Sequence, residues 1–295
     1  MNRSTHILRH MFVWSKLSSE KWADAWEERF PPSSGATLVT TSSPGSKSIR
    51  LELYCATKLQ AERAKEAFGG SVRELLDQNW AALAKNILPP IKVRDRLVIC
   101  PARTEAEVAK ARKSFPGREV IAVPADMAFG TGHHATTATM LRLLVDAARM
   151  LNMEGEPWTM ADLGCGSGVL AIAAAKLGAA RVWGCDFDAK AVEVARENAE
   201  RNSAAQVRFS ELDVLEWEPQ EQWDLVAANI FADLLEQAFP QVTRAVKPGG
   251  ILMVSGILAS QAAQCLEVGR SRGVTWERVV TKGKWVAARG RVGSA

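Results

Sequence analysis

The sequence predicts an α/β protein in which a doubly wound, mostly parallel sheet follows a smaller α+β domain. Strand-like and helix-like segments alternate from Met160 towards the end of the chain. A turn with three glycines, Asp162-Leu163-Gly164-Cys165-Gly166-Ser167-Gly168, separates the first of these strands from an apolar helix. Because 295 residues exceed an ordinary single domain, a second and smaller unit is expected.

The composition is that of a soluble globular protein, with 47% hydrophobic and 24% charged residues. The net charge is only +4, but residues 81–118 hold nine basic residues against three acidic ones. Such a segment is either a solvated basic face or a contact for an RNA-containing or acidic partner.

The cysteines and the amino-terminal segment predict a cytoplasmic protein. Five cysteines, an odd number without a Cys-x-x-Cys pair, argue for a reducing compartment and against a disulfide framework or a zinc site. His6 and His10 lie four residues apart, but they lack a third ligand nearby, so no metal site is expected. Residues 1–16 lack the apolar core of a signal peptide, and no run reaches membrane-spanning length. We therefore expect a cytoplasmic monomer that makes no contact with a membrane.

Residues 1–77 are predicted to form the smaller domain. Trp22, Trp26 and Phe30 recur at four-residue intervals, which predicts one helical face with both tryptophans in the core. The remaining segments are strands in 9–17, 36–42, 49–55 and 71–76 and a helix at 57–68. The order β-α-β-β-α-β is that of a ferredoxin-like domain.

Residues 78–92 are predicted to form a linker helix, and residues 93–295 the larger domain. The linker contains Trp80 and stops at Pro89-Pro90. Two short strands, 97–100 and 119–123, lead into the large domain. The alternating part then comprises strands at 160–163, 181–185, 206–210, 223–228 and 251–255, with helices at 169–177, 189–202, 231–246 and 259–271. Lys247 to Gly250 are expected to form a turn, and residues 274–289 a closing antiparallel hairpin.

The glycine turn predicts a nucleoside cofactor. Gly164 and Gly166 fit the first two places of a dinucleotide fingerprint, but Val169 stands where the third glycine belongs, and Gly168 comes one residue early. That spacing resembles the first motif of class I S-adenosylmethionine-dependent methyltransferases. Asp186 ends the next strand, where a carboxylate can accept both ribose hydroxyls. The alternative is a tight glycine turn without a ligand.

Two further stretches are expected at the mouth of the sheet. Gly130 and Gly132 allow close backbone approach, and Thr136 and Thr137 can cap the following helix or donate to a carboxylate, although an ordinary capped helix start also explains the threonines. Asn229 ends a buried strand and can present its amide carbonyl to an amine or to the cofactor, or it simply terminates the strand. The absence of an Asn-Pro-Pro-Tyr tetrad argues against a flipped-base substrate.

Together these motifs closely resemble the methyltransferases of large-subunit ribosomal protein eleven, a family of class I, Rossmann-like enzymes. The resemblance is carried by Ala128 to Thr137, Asp162 to Leu170, Asp186-Phe187-Asp188 and Asn229-Ile230. It implies a ferredoxin-like domain that recognises the ribosomal protein, with ribosomal RNA near that substrate, and a sheet domain that methylates its lysines and α-amine. It also implies cofactor contacts at Thr137, Gly164, Asp186 and Asn229. From the residues themselves we expect Gly166 and Gly168 of the same turn to contact the cofactor and Asn229 to be the catalytic position.

Other classes of protein stay open at this point. A nicotinamide enzyme is disfavoured by Val169 and by the lack of a catalytic Tyr or His near the sheet. A methyltransferase of the same fold could act on another protein, and a non-catalytic protein could bind the cofactor or the ribosome. For a methyltransferase the attacking amine must be neutral, and since no general base is evident in the sequence, we expect the proton to leave to solvent.

Overall fold

The chain divides into two compact units, Met1–Ile87 and Leu88–Ala295. The structure is a computed structural model, and it describes residues 11–19, 22, 26, 29–30, 36–42, 48–55, 57–75, 89–124 and 134–293. Most of the predicted linker helix, like His6 and His10, lies outside these residues. The last two linker residues, Ile91 and Lys92, belong to a strand instead of a helix.

The first unit contains an antiparallel four-stranded sheet. Its strands are β1 (Met11–Ser19), β2 (Ala36–Ser42), β3 (Ser48–Cys55) and β4 (Ser71–Leu75), in the order β2-β3-β1-β4. Helix α1 (Lys58–Phe68) begins at Thr57, whose side chain accepts a hydrogen bond from the Gln60 N–H while the Gln60 side chain accepts one from the Thr57 N–H. The first strand lies between β3 and β4, as a ferredoxin-like arrangement requires.

An aromatic cluster forms the core of this unit. Trp14 is fully buried, and its ring lies 6.0 Å from Trp26, 6.0 Å from Phe30 and 6.1 Å from Phe68. Trp26 therefore packs against the core as predicted. The prediction for Trp22 is wrong, because its side chain is 54% exposed. Trp22 lies in a 3₁₀ turn, where the four-residue spacing of an α-helical face does not apply.

The second unit begins with a small three-stranded sheet. Its strands are β5 (Ile91–Val93), β6 (Leu97–Cys100) and β7 (Glu119–Ala122), and helix α2 (Glu105–Ser114) connects the last two. Val98 and Val120 pack against α2, whereas Ile99 and Ile121 face the main core of the unit. Burial on both faces explains why these strands read as continuous apolar runs.

A seven-stranded sheet dominates the second unit, and its order is β10-β9-β8-β11-β12-β14-β13. Within this sheet, β14 runs antiparallel to both of its neighbours, β12 and β13, and all other neighbouring strands are parallel. The strands are β8 (Thr159–Leu163), β9 (Arg181–Asp186), β10 (Val207–Glu211), β11 (Trp223–Asn229), β12 (Val246–Leu258), β13 (Val274–Lys282) and β14 (Trp285–Val292). This confirms the doubly wound, mostly parallel sheet and its closing hairpin. The strand order reverses between β8 and β11, which is where such sheets bind ligands.

Helices cover both faces of this sheet. They are α3 (Ala135–Glu154), α4 (Val169–Lys176), α5 (Ala189–Arg201), α6 (Ala232–Arg244) and α7 (Ala262–Ser271). Side chains of β11 alternate between the two cores, since Leu225 and Ala227 join the α3–α5 side while Val226 and Ala228 join the other. None of the helices in the described ranges is both long and apolar enough to span a membrane.

One turn predicted in this unit is wrong. Lys247 to Gly250 lie inside β12, whose pairing with β11 passes from Val246 directly to Ile251, so these four residues form a bulge within the strand. Gly249 has φ 74, so the backbone turns locally without ending the strand. Pairing with β14 likewise begins at Ile251, so the stretch lies outside both ladders while the strand continues beyond it.

Candidate functional site

The candidate site lies at the carboxyl ends of β8, β9 and β11. The glycine turn follows β8, and Gly164, Gly166 and Gly168 have φ values of 68, 51 and 74. These values lie in the left-handed region, which glycine adopts without a steric penalty. The turn therefore requires all three glycines, and it leads directly into the first residues of α4.

The first and last of these glycines also allow close packing. A Cβ on Gly164 would lie 2.4 Å from Ile230 Cγ2, so the residue after Asn229 covers one side of the turn. A Cβ on Gly168 would lie 2.9 Å from Phe209 and 3.0 Å from Ala195 Cβ. Gly168 thus lets the turn pack against α5 and β10, as the third glycine of such motifs does for its own helix.

Asp186 connects the end of β9 to the glycine turn. Its Oδ2 accepts a hydrogen bond from the Gly166 N–H at 2.9 Å, and its Oδ1 accepts one from the Asp188 N–H at 3.1 Å. The side chain is buried. Each carboxylate oxygen has a second lone pair, so the held carboxylate can still accept hydrogen bonds from two hydroxyl groups of a ligand.

Asn229 and Thr137 meet at the end of β11. The Asn229 Nδ2 donates to Thr137 Oγ1 at 3.4 Å, and Thr137 is 1% exposed. The Asn229 Oδ1 is buried and accepts no hydrogen bond from any described residue. A buried carbonyl without a donor is unfavourable by itself, so this oxygen indicates a ligand that brings a donor.

The start of α3 differs from the prediction. The N-cap is His134, whose Nδ1 accepts a hydrogen bond from the Thr136 N–H at 3.4 Å, so Thr136 and Thr137 lie inside the first turn instead of capping it. The His134 ring also stands edge-on to Trp285 at 5.2 Å. Burial, and then the charge of Lys284, lower the pKa of His134, which favours the neutral ring whose Nδ1 can accept this hydrogen bond. Gly130 and Gly132 lie outside the described residues.

Asp162 is a buried acid that the sequence reasoning did not single out. Its Oδ2 accepts from the Ala171 N–H at 3.1 Å, and its Oδ1 has no partner in the described part of the chain. Burial raises its pKa to about 7, and the charge of Asp186 adds to that shift. A carboxylate in a buried strand, two residues before the first glycine of the turn, is the sequence signal that could have revealed it.

The arrangement suits a ligand that carries both a ribose and an amino-acid group. Asp186 can take hydroxyls, the glycine turn exposes its backbone, and the free Asn229 Oδ1 calls for an N–H or O–H donor. In the described ranges there is no cluster of three His, Cys, Asp or Glu side chains that could hold a metal ion. Fold and site together define a class I methyltransferase, whose cofactor is S-adenosylmethionine.

Comparisons with known proteins give the particular family. The profile of the ribosomal protein L11 methyltransferase (PrmA) family matches residues 46–292. The chain belongs to this family. A ribosomal protein L11 methyltransferase of Pelotomaculum thermopropionicum is 36% identical over 249 residues, which are 84% of this chain and 76% of the relative. One of Chromohalobacter salexigens is 36% identical over 219 residues, which are 73% of this chain and 67% of the relative.

A solved structure supports the same assignment. The crystal structure of a ribosomal protein L11 methylase from Lactobacillus delbrueckii subsp. bulgaricus superposes with a TM-score of 0.58 at 25% identity. The match covers 70% of this chain and 100% of that one. The family resemblance predicted from the motifs is therefore confirmed.

Proposed function

We propose that this chain transfers methyl groups from S-adenosylmethionine to amines of ribosomal protein L11, at lysines and at the N-terminus. The observation that carries the proposal is the buried Asn229 Oδ1, which has no donor among the described residues and lies at the end of β11, one residue from the contact with Gly164. The names of the relatives support this substrate.

The cofactor contacts in this proposal are the predicted ones. Asp186 holds the ribose hydroxyls, and the turn with Gly164, Gly166 and Gly168 surrounds the amino-acid tail. Thr137 and Asn229 complete the site from the first turn of α3 and the end of β11. When bound, S-adenosylmethionine supplies an electrophilic methyl group.

Asn229 is proposed as the residue that orients the substrate amine. Its Nδ2 is engaged by Thr137, so its Oδ1 is the atom left to accept a hydrogen bond from the amine. A neutral amide acceptor does not favour the protonated amine, whereas a carboxylate would. Because a lysine amine has a reference pKa of roughly 10.4 and an α-amine of about 8, the amine must lose a proton before it reacts, and we assign that proton to solvent.

The remaining predictions belong to the same proposal. Residues 1–77 recognise the protein substrate, 78–92 link the units, and 93–295 bind the cofactor. Ribosomal RNA lies near the substrate, and the basic segment 81–118 is a solvated face, with an RNA-containing or acidic partner as the alternative. The chain acts as a monomer in the cytoplasm. Several basic side chains of this segment are already paired, including Arg94 with Asp146 and Arg112 with Glu105, so the rest supply the charge.

A labelling experiment tests the proposed substrate. The purified protein is incubated with S-adenosylmethionine carrying a labelled methyl group and with a cell extract whose ribosomal proteins are unmethylated. We expect one labelled band, identified by mass spectrometry as ribosomal protein L11. Label on a different protein would retain the methyltransferase but reject the substrate.

A further inference from the structure

A second groove lies at the amino ends of the strands of the seven-stranded sheet, whereas the candidate site lies at their carboxyl ends. It has a volume of about 260 Å³ and lies at the amino ends of β9, β10 and β11. Trp223 in this groove and Asn229 are six residue steps apart, which corresponds to roughly 20 Å along β11. We call it the tryptophan groove, and the side chains that matter for its chemistry are Arg181, Trp183, Arg208, Trp217, Glu221 and Trp223.

Three indole rings pack against one another in the lining of this groove. The ring of Trp183 lies 5.2 Å from that of Trp217 and 6.2 Å from that of Trp223, to which it is nearly parallel. Trp217 and Trp223 are buried, while Trp183 is half-buried. The Trp183 Nε1 donates to Ser210 Oγ at 3.1 Å, which fixes the orientation of its ring. The accessible part of the Trp183 ring, backed by the two buried indoles, therefore offers a rigid surface on which a planar group can stack.

Positive charge surrounds this platform. The Arg181 guanidinium lies 4.3 Å from the centre of the Trp223 ring and forms an ion pair with Glu221 at 2.7 Å. Arg208 donates to the backbone carbonyls of Ala205 at 2.7 Å and Val207 at 3.2 Å, which holds it at the groove. Because Glu221 is neutralised by Arg181, the charge of Arg208 remains uncompensated within the lining.

One polar atom in the lining also indicates a ligand. The Trp223 Nε1 is buried, and it donates to no acceptor in the part of the chain that the structure describes. Buried indole N–H groups usually have a partner. An acceptor on a bound molecule would supply one.

We propose that the tryptophan groove binds one nucleobase of a single-stranded RNA, with Arg208 paired to a neighbouring phosphate. Bases stack on aromatic side chains with little sequence preference, and arginine binds phosphate well. The volume is below the roughly 300–1,000 Å³ of a typical small-molecule site, which suits a single base. This inference does not rest on the proposed methyl transfer.

The other ligand class that such aromatic surfaces bind is a methylated ammonium group on a peptide. That class requires negative charge beside the rings. The carboxylate of Glu221 is already paired with Arg181, and Arg208 adds a second guanidinium, so a bound cation would be repelled. The charges therefore favour the nucleotide.

The test measures binding of a fluorescently labelled oligoadenylate to the full chain by anisotropy, at several salt concentrations. Trp183→Leu keeps an apolar side chain but removes the stacking face, and we expect about tenfold weaker binding or more at a fixed salt concentration. Arg208→Gln should lower the slope of log affinity against log salt by about 0.7, the value for one contact to a single-stranded phosphate. The matched control is Arg272→Gln, an exposed charge beside β13 at the other edge of the sheet, which should change neither quantity.

Three results would overturn the proposal. The first is no saturable binding by the parent protein, and the second is unchanged affinity and salt slope in both groove variants. The third is tighter binding of a trimethyl-lysine peptide than of the oligonucleotide, abolished by Glu221→Gln. Thermal unfolding shows whether Trp183→Leu is folded. If that variant is unfolded, Arg208→Gln still decides the test, because the Arg208 side chain is exposed and its loss should not affect folding.

Discussion

The Asn229 side-chain amide donates to the Thr137 hydroxyl at 3.4 Å and thereby links the last residue of β11 to the first turn of α3. This contact occupies the amide nitrogen of Asn229. With Nδ2 directed to Thr137, the carbonyl oxygen is left without a donor in the described part of the chain. The amide is thus held by one element and available to a ligand at its other end, as a positioning group requires.

Substitution of Asn229 tests that role. Asn229→Ala should lower kcat by about tenfold or more, because the amine loses the group that orients it. Asn229→Asp keeps an acceptor but favours the protonated amine, so its activity should be low at neutral pH and partly recover as pH rises. The measurement is initial methylation rate against pH for the three proteins. Parental rates in both variants would leave Asn229 as only the end of a strand.

Asp186→Ala should weaken binding of S-adenosylmethionine by about 1.5–3 kcal/mol, since a charged hydrogen-bond acceptor is lost. Asp188→Ala is the matched control. Asp188 caps α5 by accepting from the Lys190 N–H, so its loss should cost about 1 kcal/mol of stability but leave cofactor affinity unchanged. Calorimetry of both folded variants checks this. Equal affinities for Asp186→Ala and the parent would reject the assignment of Asp186.

Gly256 is expected to support the site through Ile230. It has φ 84, and a Cβ there would lie 2.3 Å from the Ile230 carbonyl oxygen. Gly256→Ala should therefore displace the backbone that follows Asn229 and lower methyl transfer strongly. Gly273→Ala has the same backbone strain, at φ 85, but meets no atom within 4 Å. Similar losses of activity in the two variants would show that backbone strain alone, without displacement of Ile230, is responsible.

The parts of the fold that could be predicted are those with local signals. The glycine turn, the position of Asp186 after β9 and the strand that ends at Asn229 all follow from short runs of sequence. The features that were missed depend on contacts between distant segments. Asn202, for example, bonds both backbone groups of Ala122, 80 residues away, and so joins β7 to the end of α5. His134 likewise caps α3 while packing against Trp285. No residue near His134 in the sequence predicts this contact.

Asp162 should make stability depend on pH. Its folded pKa of about 7 exceeds the unfolded value, so the folded protein binds more protons between roughly pH 4 and 7. The free energy of unfolding therefore falls as pH rises through that window and stops falling above it. Asp162→Asn removes this contribution. The free energy of unfolding of the variant should therefore increase relative to that of the parent as pH rises. Urea unfolding across the window checks this, and parallel curves for the two proteins would contradict it.

The two units should separate recognition from cofactor binding. A fragment that begins at residue 78 contains every proposed cofactor contact and the core of the second unit. It should bind S-adenosylmethionine with the affinity of the full chain, measured by calorimetry. It should fail to methylate ribosomal protein L11. Full activity of the fragment would assign another role to the first unit.

The most direct test of the central claim is the intact mass of purified, unmethylated ribosomal protein L11 after incubation with this chain and S-adenosylmethionine. The account predicts a mass increase by whole methyl increments, located by fragmentation on lysine and N-terminal amines. The increase should be slowed by Asn229→Ala and absent when the cofactor is omitted. An unchanged mass with the folded, cofactor-binding parent protein would contradict the proposed function.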